Sequence, residues 1–157
     1  MDSLTRKVLL LGASGSIGGQ TIDIIKEAKD KFVLTSFSVG KNKQKAIELL
    51  KEFDSVKHIY ITDENDAKEI TQLFPKIKVF SGTKGLAKLT KKANYDMCVN
   101  ALVGFAGFEP AVIALRKDKI LCLANKEALV VGDDVKENIA KCFARISSSD
   151  VFGFTTS

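Results

Sequence analysis

Residues 12–18 read Gly-Ala-Ser-Gly-Ser-Ile-Gly, between the apolar run Val8-Leu9-Leu10-Leu11 and the amphipathic run Gln20-Thr21-Ile22-Asp23-Ile24-Ile25. A buried strand, a glycine turn and a helix in that order form a phosphate-binding geometry. Glycines let the main chain turn sharply and approach a pyrophosphate, and the N–H groups at a helix start face the anion. A glycine triplet alone is weak evidence, but in this context it is much stronger. Gly12, Gly15 and Gly18 are therefore candidate cofactor-binding positions; the competing reading is a tight turn that binds nothing.

The second strand bears on which dinucleotide would fit. A site that prefers NAD places Asp or Glu about 20 residues past the glycine loop, on the ribose 2′-hydroxyl. Here the corresponding stretch is Ser38-Val39-Gly40-Lys41-Asn42-Lys43, without an acid. A carboxylate repels a 2′-phosphate. A lysine attracts it, and Asn42 and main-chain N–H groups can hydrogen-bond it. The expectation is NADP rather than NAD, against the plainer reading that Lys41 and Lys43 are solvated loop charges. A third chemistry-bearing turn, Ala124-Asn125-Lys126-Glu127, combines donors, a cation and an acceptor after the sixth strand-like run. An N-capped helix start is the plain reading there, with Asn125 as cap and Glu127 near the positive helix end. Capping and ligand binding are compatible.

The elements that must position these residues alternate regularly. Strand-like runs fall at 7–11, 32–39, 58–61, 77–80, 97–100 and 120–123, and helix-like runs at 17–28, 44–53, 64–74 and 85–92. A further helix is expected to begin at Pro110, where a missing N–H costs nothing, and another at Glu127. This alternation predicts an α/β fold, Rossmann-like and doubly wound, with a mostly parallel sheet and helices on both faces. Ligands in such folds sit beyond the carboxyl ends of the strands, so Gly12–Gly18, Gly40–Lys43, Ala101–Gly107 and Ala124–Glu127 are the candidate segments.

Composition narrows the class. The 157 residues are 45% hydrophobic and 27% charged, as in one ordinary globular domain. No apolar stretch approaches the roughly 20 residues of a membrane span, and the opening residues contain no signal-like apolar region, so a cytoplasmic protein is expected. The net charge of +5 comes mainly from scattered lysines without Trp or interleaved aromatics, which argues against nucleic acid and suits a small anionic ligand. Cys98, Cys122 and Cys142 lack metal-binding spacing and are expected to be buried reduced thiols. The lone His58 is expected to be a loop or strand-edge residue.

Together, Gly12–Gly18, Val39-Gly40-Lys41-Asn42, Ala101-Leu102-Val103-Gly104-Phe105-Ala106-Gly107 and Leu123-Ala124-Asn125-Lys126-Glu127-Ala128-Leu129-Val130 closely resemble the N-terminal domain of the 1-deoxy-D-xylulose 5-phosphate reductoisomerase family. The resemblance runs over about residues 6–140, and the last motif is its most specific part. It implies an NADPH-dependent oxidoreductase of non-mevalonate isoprenoid biosynthesis, which rearranges its phosphosugar substrate and reduces the product to 2-C-methyl-D-erythritol 4-phosphate. It implies that Ser14, Gly15, Ser16 and Ile17 bind the dinucleotide phosphates, in a loop whose Gly12 and Gly18 are also candidate cofactor-binding residues. Gly40, Lys41 and Asn42 would take the 2′-phosphate end, Asn125 and Glu127 would contact NADPH, and Lys126 would contact substrate. A divalent cation, Mg or Mn, and a homodimer are implied for the full-length protein.

After the Asn-Lys-Glu motif the family pattern calls for Pro-x-Asp-x-Glu-His, whose carboxylates bind the metal. This chain reads Arg145-Ile146-Ser147-Ser148-Ser149-Asp150-Val151-Phe152-Gly153-Phe154, so no metal ligand and no catalytic residue is assigned. The expected organisation is an NADPH-binding domain over 1–142 and an atypical tail over 143–157. A truncated gene, a frameshifted tail and an excised domain fit equally. The chain alone is expected to bind NADPH without turnover. A non-catalytic dinucleotide-sensing module and another NADP-dependent dehydrogenase domain, of the semialdehyde or homoserine type, are the alternatives.

Overall fold

A computed structural model describes residues 5–123 of the chain. Six strands and five helices alternate: β1 (Arg6–Leu11), α1 (Ser16–Glu27), β2 (Phe32–Ser38), α2 (Lys43–Glu52), β3 (His58–Tyr60), α3 (Glu64–Leu73), β4 (Lys78–Phe80), α4 (Gly85–Lys92), β5 (Met97–Asn100), α5 (Phe108–Arg116) and β6 (Ile120–Leu123). The strands form one sheet in the order β4-β3-β2-β1-β5-β6, and every pairing is parallel. This is the predicted doubly wound α/β architecture.

The unbroken apolar run in β1 follows from its central place. Val8 and Leu10 face a core shared with α1, α2 and α3, through residues such as Ile22, Ile25, Leu49 and Ile70. Leu9 and Leu11 face the other core, with Leu89 of α4 and Ala114 of α5. Successive side chains of a strand point to opposite faces, so a strand covered on both sides must be apolar at every position. The winding reverses after β4, when the chain returns through α4 to place β5 on the far side of β1. The crevice between the ends of β1 and β5 is therefore the topological switch point, where open α/β sheets bind ligands.

Two sequence expectations need correction. α5 begins at Phe108 rather than Pro110, and a 3-10 turn at Gly104–Gly107 leads into it. Pro110 still lies in the first helical turn, where the N–H groups have no intrahelical acceptor, so the helix runs back past it. Cys122 is disulfide-bonded rather than reduced. An apolar strand position signals burial, but only the tertiary fold decides whether a second sulfur lies close enough to bond. Cys98 is free and fully buried, and burial pushes its thiol up to about 12 against a smaller opposing pull from Lys117. That environment suits an inert core thiol, not a nucleophile. His58 starts β3, stacks on Phe80 at 6.3 Å between ring centres, and is held below its usual pKa by burial and then by Lys78.

Candidate functional site

The glycine loop leaves the end of β1 at the switch point. Gly12 has φ +88°, a left-handed conformation that favours glycine, and a Cβ there would stand 3.2 Å from the Ala101 carbonyl. Gly18 lies against the loop itself: a Cβ there would collide with the Gly12 carbonyl oxygen and stand 2.7 Å from the Ala13 Cα. Gly15 and Gly19 differ. A Cβ at Gly15 would have only the Gly12 oxygen nearby, at 3.8 Å, and at Gly19 it would meet nothing within 4 Å. The first and third glycines thus shape the turn and seat the helix, while Gly15 leaves open space.

That space lies at a helix start. Gly15 is the N-cap of α1, no side chain among the described residues caps the helix, and its first turn contains no acid. Its first N–H groups lack intrahelical acceptors and carry the positive end of the helix dipole. Ser14, Gly15 and Ser16 are exposed, Ile17 is half-buried and Gly18 is buried. These residues can receive a phosphate without moving a side chain aside.

The loop after β2 lies beside this one. Gly40, Lys41 and Asn42 are exposed. Asn42 caps α2, its Oδ1 accepting the Lys45 N–H at 3.0 Å, which leaves its amide NH₂ for another acceptor. The two lysines have different environments. Lys43 pairs with Glu69 at 2.9 Å and Asp66 at 4.0 Å, and the Glu69 hydrogen bond, the largest cause, raises its pKa. Lys41 is in no ion pair among the described residues, so its charge is the one left for an anion.

On the other side of β1, the loop after β5 is organised by Asn100, which is 1% exposed. Its amide donates to the Gly107 carbonyl at 2.8 Å, and its Oδ1 accepts the Leu102 N–H at 3.1 Å. A Cβ at Gly107 would lie 3.0 Å from that oxygen, so Gly107 is small because Asn100 packs on it. Sequence reading placed Asn100 only in a strand; a polar residue closing an apolar strand before a glycine-rich loop was the available signal. Replacing Asn100 with alanine orphans a part-buried N–H and a buried carbonyl, and is expected to lower stability by about 2–3 kcal/mol in urea unfolding.

Beyond Asn100, Phe105, Phe108, Leu115 and Leu121 line an apolar groove of about 570 Å³. A larger groove of about 750 Å³, lined by His58, Lys78, Lys88 and Lys92, lies at the β4 edge, three strands from the glycine loop. The fold thus brings the segments around 12–18, 40–42 and 101–107 to one edge of the sheet, beyond the carboxyl ends of β1, β2 and β5. Asn125, Lys126 and Glu127 lie outside the described residues. Among those described, no group of three or more His, Cys, Asp or Glu is placed to hold a metal ion, and no helix is long and apolar enough to cross a membrane.

A parallel doubly wound sheet with a glycine loop and an uncapped helix start at its switch point defines the class: an α/β protein of the dinucleotide-binding fold. Comparison with known proteins narrows it. The family model for 1-deoxy-D-xylulose 5-phosphate reductoisomerase matches residues 8–133. The reductoisomerase of Listeria innocua is 35% identical over 136 residues, covering 87% of this chain and 36% of that protein. That of Clostridium perfringens is 35% identical over 148 residues, covering 88% and 38%. The Zymomonas mobilis reductoisomerase solved with NADPH superposes with a TM-score of 0.70 at 26% identity, over 90% of this chain and 38% of that one. A reductoisomerase solved with NADPH, fosmidomycin and magnesium gives 0.70 at 28% identity, over 87% and 34%. The chain belongs to the 1-deoxy-D-xylulose 5-phosphate reductoisomerase family, and it spans little more than a third of the length of the relatives it matches.

Proposed function

We propose that residues 1–142 are the NADPH-binding domain of a 1-deoxy-D-xylulose 5-phosphate reductoisomerase, with 143–157 an atypical tail. What supports this reading is an open helix start at Gly15 in the loop after β1, with the neighbouring loop after β2 carrying Lys41, which is in no ion pair among the described residues, and no carboxylate at the end of β2. In this reading the pyrophosphate rests on Ser14, Gly15, Ser16 and Ile17, with Gly12 and Gly18 holding the turn. Gly40, Lys41 and Asn42 receive the adenosine 2′-phosphate. Asn125 and Glu127 contact the cofactor, and Lys126 the substrate.

Bound NADPH supplies the hydride, and this domain's residues hold and orient it. The whole protein converts 1-deoxy-D-xylulose 5-phosphate to 2-C-methyl-D-erythritol 4-phosphate in isoprenoid biosynthesis. Mg or Mn assists that reaction, and no residue of this chain is assigned to the metal. A cytoplasmic location, a homodimeric full-length enzyme, and no nucleic-acid or membrane partner belong to the same reading. The 157-residue chain alone binds cofactor without turnover. Titration with NADPH and NADH, followed by cofactor fluorescence, tests this. NADPH is expected to bind at least about tenfold more tightly, a difference of about 1.4 kcal/mol. A folded chain that binds neither cofactor overturns the reading.

A further inference from the structure

Ser38 ends β2 and is only 2% exposed, an unusual place for a hydroxyl. Its Oγ accepts the Gly12 N–H at 2.9 Å, and its main-chain carbonyl accepts the Ala13 N–H at 2.8 Å. One residue thus takes two consecutive N–H groups where the glycine loop leaves the sheet. The register explains how it gets there. Val8 pairs with Leu34 but Leu9 pairs with Ser36, so Thr35 is an extra residue in β2. Such a bulge reverses which face each later side chain occupies. Without it, Ser38 would be one residue out of place and its hydroxyl would be aimed at the opposite face. Two residues back, Ser36 is also fully buried, but its Oγ has no hydrogen-bond partner among the described residues. A buried hydroxyl as such is therefore not what the loop requires.

We infer that Ser38 is a positioning residue for the cofactor's pyrophosphate: its hydroxyl locks the positive-φ turn at Gly12, and through it the amides that follow. This rests on the NADPH reading above. Ser38 also leads directly into Val39-Gly40-Lys41-Asn42, so the same residue keeps the phosphate loop in register with the 2′-phosphate loop. A hydrogen bond of this kind does not add contacts to the ligand. It spares the ligand the cost of ordering the loop, so its loss should appear in affinity for the part of the ligand that uses the loop.

The test uses the 157-residue chain, with NADPH and adenosine 2′-monophosphate as probes. Ser38→Ala is expected to weaken NADPH binding about tenfold and the 2′-monophosphate, which lacks the pyrophosphate, less than about twofold. Ser38→Thr keeps the hydroxyl and should stay within about threefold of the parent for NADPH, while Ser36→Ala should leave both affinities unchanged. In the unaltered chain, amide exchange of Gly12 is expected to be at least about tenfold slower than that of exposed Ser14 or Gly15. Equal weakening of both probes in Ser38→Ala, no weakening, or a freely exchanging Gly12 overturns the inference alone. A folded parent chain that binds neither probe overturns the NADPH reading and this inference with it.

Discussion

Gly18→Ala is expected to lower the stability of this chain by about 3–5 kcal/mol, a large part of the 5–15 kcal/mol that typical domains possess. The added methyl would occupy the space of the Gly12 carbonyl oxygen and crowd the Ala13 Cα. Both obstacles are main chain, so no rotamer change relieves them. They are also held from the other side: Gly12 N–H by the Ser38 hydroxyl and Ala13 N–H by the Ser38 carbonyl. Relief therefore requires α1 to move off the loop, which separates Ile22 and Ile25 from the core beneath them. Overpacking a close-packed contact against fixed backbone is among the costly substitutions. The urea unfolding midpoint measures it. Gly19→Ala is the matched control, because a Cβ there meets nothing within 4 Å; within a helix, alanine should even stabilise slightly. Equal midpoints for the two variants would refute the packing role of Gly18.

Lys41→Glu is expected to reverse the cofactor preference, weakening NADPH about 30–100-fold while leaving NADH within about threefold. The change replaces attraction by repulsion opposite a 2′-phosphate. Lys41 is exposed, so solvent and salt screen the effect, and it should shrink as ionic strength rises. Lys43→Glu serves as the contrast. That side chain is already committed to Glu69 and Asp66, so its charge contributes little to an anion in the crevice. A uniform loss of NADPH and NADH in Lys41→Glu would point to a disturbed loop instead of a lost phosphate contact. Equal effects at 41 and 43 would show that only net charge matters.

Much of this architecture is legible in the sequence. The Val8–Leu11 run and the amphipathic stretch after it locate a two-sided strand and its helix, because burial on both faces forbids polar residues. Gly12–Gly18 announces a loop that few other residue types could form. Helix limits are less legible: Pro110 suggests a first residue, yet it occupies the third helical position, since proline is tolerated wherever an N–H has no intrahelical acceptor. Asn42 illustrates a different limit. Its residue type suits both a phosphate ligand and a helix cap, and only the 3.0 Å bond from Lys45 shows that it caps.

By itself, the sequence determined the alternation of strands and helices, the parallel sheet and the glycine loop, since each follows from local patterns of burial and backbone freedom. The tertiary structure alone decided which loops meet. Strand order placed β5 beside β1 and so set Ala101 against Gly12, although they lie far apart in the chain. It distinguished Lys41 from Lys43, because the acids that neutralise Lys43 arrive on α3. It gave Ser38 and Ser36 different fates, because one bulge sets which hydroxyl reaches the loop. Such distinctions depend on distances between distant segments, and those are fixed by packing the whole sheet, not by any local pattern.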